Sequence, residues 1–353
     1  MGAAAQRAGG VAAMTVAVCI SAIGHLLVGL GGSLGSFACL LAGRAVLGLC
    51  YESIDMLPLP ILGEDFKESW AFLVGIFNAF LRMGSVSNFL LSPVLYRQQG
   101  LAAALWASSC LGLSGLGAVA LVRRLQRRAA CARDLGADGL GAELGSPGGE
   151  GGPEAGQRSG GQTLQAFPRR FWSFALTGML MYAGIVPFWF FGSRYIQEVF
   201  GKDLQTADNL MLLPEGMIAV LSPLIGIHVD RAQWGERRRL LALALALVCF
   251  PVSYSLLLVR WVPPLFSVAL LGSGWAFSNC FFWCSTTLVI PAPLLSLGSG
   301  VLGCALNVGA TVLPYAMGHL DDALALELLV AVTAGASAAA LATARMPAPV
   351  AAA

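Results

Sequence analysis

The 353-residue sequence is 57% hydrophobic and only 11% charged, where a soluble domain carries roughly 25% charged residues, so a water-soluble globule is excluded. Its 21 Lys and Arg almost balance 19 Asp and Glu, for a formal net charge of +2. The basic residues sit in loops instead of lining one face, which argues against a nucleic-acid partner.

The first residues, MGAAAQRAGG, are too short and too rich in small residues for the basic part of a signal peptide. They also lack the Ser or Thr of a myristoylation site. The apolar runs then follow at roughly 11–31, 36–62, 70–94 and 101–122. After a polar interval come runs at roughly 171–191, 209–229, 239–259, 262–285, 296–318 and 322–344. Each matches the ~20 residues that carry an α-helix across a ~30 Å hydrocarbon core. In lipid only helices and closed barrels satisfy their own backbone groups, and these lengths select helices. The expectation is an all-α, multi-pass membrane protein. Its helices form a four-span bundle over 1–122 and a six-span bundle over 171–345, with a tail at 346–353.

The interval 123–170 begins RRLQRRAACARD and becomes GADGLGAELGSPGGEGGPEAGQRSGGQ. Gly-rich and nearly without apolar residues to bury, it reads as a disordered linker. Two bundles joined by a long loop is a common transporter plan, with the substrate site between the halves. Arg7, Lys67, the arginines of the linker and of residues 231–239, and Arg345 fall on one side of the alternating spans. Arg97, Arg194, Lys202 and Arg260 fall on the other. The positive-inside rule then puts both termini in the cytoplasm.

Charges inside the spans are costly and point to partners or a watery cavity. The second run contains Arg44, Glu52 and Asp55; Arg44 and Asp55 are eleven residues apart, about three turns, and share a face. In the third run Asn78, Arg82 and Ser85 fall at i, i+4, i+7 and also share one face. Glu52 and Arg82 would lie at similar depths on consecutive antiparallel helices. Two readings stand: an ion pair that holds the bundle together, or a site for a charged or zwitterionic solute with Asn78 and Ser85 beside it. Glu215, after Pro214, either faces the pathway from the second half or lies near the outer surface. His25 and Glu327 are isolated and read as packing residues. Among nine cysteines, Cys280 and Cys284 in SNCFFWCS have no further ligand at metal spacing and read as buried packing residues. The sequence carries no H-E-x-x-H and no Gly-x-Ser-x-Gly, and the reading includes no catalytic residue, metal or cofactor.

The loop GIHVDRAQWGERRR, residues 226–239, has more order than the positive-inside rule demands. It resembles the signature of the major facilitator superfamily, in which an Asp-Arg pair and following basic residues hold helix ends in one state of an alternating-access cycle. Gly226, Asp230, Arg231, Gly235, Arg237 and Arg238 match, with AQW lengthening the spacer. GRAVLG resembles the family's fourth-helix motif through Arg44 and Gly48. GRAVLGLCYES, FNAFLRMGSVSNFLL, the run 171–201 and VLSPLIGIHVDR are together similar to the lysosomal dipeptide-transporter family within that superfamily.

The resemblance implies that a glutamate and an arginine hold the two ends of a dipeptide, and these map onto Glu52 and Arg82. It implies facilitated export from a lysosome-like or vacuolar compartment and a glycosylated accessory membrane protein. It also makes the first span here the family's third, so that two of twelve helices are expected to be missing. The tyrosine that the family carries on its eleventh helix has no counterpart in LGSGVLGCALNVGAT. Two other functions stay open: transport of another small organic anion or amino acid, and a non-transporting receptor or assembly partner.

Overall fold

The computed structural model describes residues 10–56, 67–140, 164–291 and 294–347. In chain order the helices are α1 Gly10–Leu34, α2 Phe37–Met56, and one continuous run, Trp70–Leu140, which a break at Gly100 divides into α3 (70–99) and α4 (101–140). The second half holds α5 Arg169–Phe200, α6 Leu204–Arg231, α7 Glu236–Val259, α8 Pro264–Val289, α9 Leu295–Met317 and α10 Asp322–Arg345. No strand occurs among the described residues. Gly100 has φ 84 and ψ 177, a backbone region open essentially to glycine alone, and this residue turns the chain between the third and fourth spans.

Nine helical segments among the described residues are long and apolar enough to cross a membrane. In α2 the described apolar stretch is Phe37–Gly48. Helix α2 is described as far as Met56, and the remainder of the second span, expected to reach Leu62, lies outside the described residues. The polar interval differs from expectation at its start. Helix α4 runs on to Leu140 through RRLQRRAACARD, where Arg, Leu, Ala and Gln are all strong helix formers. Residues 141–163 of the linker lie outside the described residues.

Apolar side chains cover much of the surface, among them Leu34, Phe37, Phe190, Leu245 and Tyr315, each more than 70% exposed. In water this would be an aggregation surface; in a bilayer it is the lipid contact. Trp261, between α7 and α8, is 90% exposed, a place suited to an indole at the headgroup level. The largest core lies in the second bundle around Phe171, Phe174, Phe188, Phe250, Tyr254, Trp275 and Phe282, and it takes in Trp70, Ala71 and Val74 of α3. The two bundles are therefore packed into one another at the end where α3 begins.

Helix α6 is the axis of that junction. Against α8 it runs parallel: Gly272 lies on Pro214, and the Cys280 thiol points to the Ser222 carbonyl at 3.8 Å, eight residues further along both helices. Against α3 it runs antiparallel, at glycine-to-backbone distance. A Cβ on Gly226 would strike Ala71 and Phe72, and one on Gly75 would strike Ser222 and Pro223. Lipid supplies no hydrophobic drive between helices, so small residues that let backbones touch are what holds such a pair together.

Candidate functional site

The α3–α6 seam follows from this register. The facing pairs are 71 with 226, 75 with 222, and 82 with 215, so the contact steps four and then seven residues along each helix. These intervals keep one helical face in contact. The register that seats two glycines therefore carries Arg82 directly to Glu215: Nη1 lies 3.2 Å from Oε2, with the side chains 16% and 4% exposed. The local fold of α6 assists, because Gly272 of α8 admits the backbone at Pro214, next to Glu215.

Two indole rings flank the arginine. The Arg82 guanidinium stands 5.6 Å from the Trp275 ring centroid and 5.9 Å from that of Trp189. Tyr182 packs edge-on to Trp275 at 5.4 Å. Aromatic faces stabilise a cation where water is scarce. Asn78, one turn before Arg82, is 3% exposed, and its Nδ2 meets no hydrogen-bond partner among the described residues. Glu215 Oε1 is likewise buried without one. Polar atoms left in this condition are uncommon in structural cores and cost free energy there.

At the end marked by basic residues, Asp230 crosses between bundles. Its two carboxylate oxygens accept the amides of Ala71 at 3.1 Å and Phe72 at 2.7 Å. These are among the first amides of α3, which no intrahelical carbonyl satisfies and which attract an anion. Gly226, one turn earlier, is what lets α3 come that close. Arg231, Gly235, Arg237 and Arg238 are exposed, and Arg238 covers the Trp234 ring at 4.3 Å. Arg239, absent from the expected set, does the tying: it donates to the carbonyls of Trp234 at 2.8 Å and Cys284 at 3.2 Å. Arg170, only 5% exposed, pairs with Glu236 at 2.9 Å beside it.

Toward the opposite end the first bundle is hollow. A cavity of about 990 Å³ extends from Leu81 and Ser85 past Asn88 and Ser92 to Tyr96 and Leu101, with His25, Arg44, Gly48 and Asn307 also on its wall. The polar face foreseen on α3 is thus divided: Asn78 and Arg82 lie in the seam, and Ser85 lies on the cavity. A Cβ on Gly48 would meet nothing among the described residues. Glu52 sits on α2, and its side chain and that of Asp55 lie outside the described residues. One packing reading needs correction: Glu327 is exposed on α10. His25 packs against Gly112, as expected, and is half-buried on the cavity wall. Cys280 and Cys284 are buried, free thiols.

Sequence spacing alone missed Glu215 as a partner of Arg82, along with Trp189, Trp275 and Arg239. One signal was present. The interval from Ala71 to Arg82 equals that from Glu215 to Gly226, the mark of two antiparallel faces in register.

A family model described as Major Facilitator Superfamily matches residues 1–314. The chain belongs to this superfamily. Similar curated proteins are named "Lysosomal dipeptide transporter MFSD1": that of Pongo abelii is 24% identical over 318 residues, and that of Homo sapiens 23% over 318. Each match covers 86% of this chain and 64% of the relative, so the chain spans less than two thirds of the length of the curated relatives it matches. The fold is that of a solved superfamily transporter, FucP in the outward conformation, with a TM-score of 0.72 at 15% identity, covering 98% of this chain and 84% of that one. A second structure, of the E. coli fucose:proton symporter FucP, gives 0.70 at the same identity, covering 98% of this chain and 85% of that one.

Proposed function

We propose that the protein moves short peptides, dipeptides above all, across a lysosome-like or vacuolar membrane by alternating access, with its basic end in the cytoplasm. The carrying observation is Arg82, a partly buried guanidinium within 6 Å of two indole rings where the two bundles meet, next to a large cavity whose wall carries Arg44, Ser85, Asn88 and Ser92. A guanidinium grips a carboxylate in planar, two-pronged fashion. Glu52 on α2 supplies the complementary group for the peptide ammonium, with Asn78 and Ser85 on the α3 face between. Holding only the termini leaves side chains unread, so broad side-chain tolerance follows. The names of the similar curated proteins support the same substrate class and compartment. In this scheme Arg44, Gly48 and the Gly226–Arg238 loop serve the conformational cycle, and a glycosylated accessory membrane protein is the partner.

The α3–α6 seam closes the basic end while the cavity opens toward the other, as one state of such a cycle demands. A second reading, transport of a small organic anion, uses Arg82 without Glu52. Uptake of a labelled dipeptide into proteoliposomes separates the two. Arg82→Ala abolishes uptake in both readings, whereas Glu52→Gln lowers dipeptide uptake in the first and leaves uptake of a monovalent organic anion intact in the second. Dipeptide uptake that survives both substitutions overturns the site.

A further inference from the structure

A second cavity, of about 650 Å³, opens between α1 and α4 at the basic end and shares no wall residue with the larger one. The two helices run antiparallel and start in close contact. A Cβ on Gly32 would strike Leu105, one on Gly29 would strike Trp106, and one on Gly112 would strike His25. Toward the basic end they part. A Cβ on Gly115 would only touch Val18, at 3.6 Å, and one on Gly117 would meet nothing among the described residues. The groove opens there, and its wall is ordered by depth: Leu116, Gly117 and Val119 line the part nearer the middle of the span, and Arg123, Arg124 and Arg127 line the rim.

We infer that this groove binds an anionic phospholipid of the leaflet at the basic end, an acyl chain lying on the apolar floor and the phosphate among the arginines. Neither half of the wall carries this alone. Arginines at this end satisfy the positive-inside preference wherever they point, and apolar side chains facing lipid are ordinary in a spanning helix. Their order within one recess is what matches a phospholipid. A free phosphate makes no use of the floor, and a zwitterionic headgroup brings a cation of its own to the arginines.

The positive charge of the rim is not neutralised by the helices that form it. Helix α1 contains no acidic residue, and the first in α4 is Asp134, about two turns beyond Arg127. Among the described residues none of the three arginines pairs with a carboxylate. Guanidinium forks grip phosphate oxygens in pairs, and basic pockets between spans suit anionic headgroups. Three cations exceed the single charge of a phosphodiester, so a headgroup that adds a phosphomonoester is the better match. The site stands apart from Arg82 and the large cavity, so its occupancy does not depend on which solute the protein moves.

The test titrates the full chain, purified in detergent, with dioctanoyl phosphatidylinositol phosphate and counts bound lipid by mass spectrometry of the intact complex. Dioctanoyl phosphatidylcholine and the free inositol bisphosphate headgroup are the comparison probes, and both are expected to bind more weakly. Arg123→Gln and Arg127→Gln should each weaken lipid binding about fivefold, the scale of one basic side chain at an anionic surface. Arg128→Gln removes the same charge, but residue 128 points about 100° away from residue 127 and does not line the groove, so it should leave the affinity unchanged. Gly117→Phe fills the floor without striking a described neighbour; it should weaken binding of the lipid and spare that of the free headgroup. Gly117 and these arginines are exposed, so the substitutions leave the core intact. Equal losses for Arg127→Gln and Arg128→Gln would reduce the effect to overall charge at this end and overturn the site. Lipid binding that ignores Gly117→Phe, or a free headgroup bound as tightly as the lipid, would overturn it equally, the latter in favour of a soluble polyanion.

Discussion

At the residue scale the chemistry turns on how a guanidinium is kept charged and available inside a membrane. Arg82 has a carboxylate at 3.2 Å and two indole faces within 6 Å, which together replace the water it has left. The two indoles are not equivalent. Trp275 is fully buried and touches Phe250 and Tyr182 as well as Trp189, so its loss would disturb the core. Trp189 is only half-buried, and changing it reports on the cation with less collateral damage. Trp189→Leu is expected to weaken dipeptide binding by about 1 kcal/mol, roughly fivefold, and Trp189→Phe by less, because a benzene face remains. Titration of the purified variants checks this, and equal losses for Leu and Phe would show that ring volume, not the cation–aromatic contact, sets the affinity.

At the element scale the decisive object is the α3–α6 pair, whose closeness depends on Gly75 and Gly226 and whose end is pinned by Asp230. The two devices separate experimentally. Gly226→Leu drives a side chain into the Ala71 and Phe72 backbone, and overpacking of this kind costs about 1–3 kcal/mol. Asp230→Asn keeps the shape but removes the charge facing the α3 amides, worth about 0.3–2 kcal/mol at a helix N-terminus. Thermal unfolding in detergent is expected to order the proteins wild type, Asp230→Asn, Gly226→Leu, from most to least stable. A Gly226→Leu protein as stable as wild type would mean that the helices do not meet at this register. The spans themselves were legible in the sequence because apolar length is a local property: Leu240–Val259 announces α7 without help from any other residue. The extension of α4 to Leu140 was not, since its charged residues resemble a solvated linker while their helix propensity is high. The Arg82–Glu215 pair was hidden for another reason. Sequence fixes the face of a helix and only loosely its depth, so it does not reveal that a residue of the other bundle stands level with Arg82.

At the scale of the whole molecule the asymmetry between the two ends is the functional statement. Along the α3–α6 seam from the basic end come Asp230, Gly226 and Gly75, then Arg82 with Glu215, while about 990 Å³ of cavity is lined from Leu81 to Leu101 toward the other end. Asn88 and Ser92 lie on that cavity wall, beyond Arg82 from the closed end. A thiol placed at residue 88 should therefore meet water from one face of the membrane only. In a background where Cys19, Cys39, Cys110, Cys131 and Cys304 are replaced by serine, Asn88→Cys is expected to react with a membrane-impermeant maleimide applied on the side of Arg97 and Arg260. The same reagent on the side of Arg123 and Arg237 should leave it unlabelled. Adding a transported dipeptide lets the molecule visit its other state, so labelling from the Arg97 side should slow and labelling from the Arg237 side should become measurable. Equal labelling from both faces without substrate would mean that the seam is no barrier. A pattern that substrate leaves unchanged would mean that the two ends do not exchange access, and the alternating cycle would fall with it.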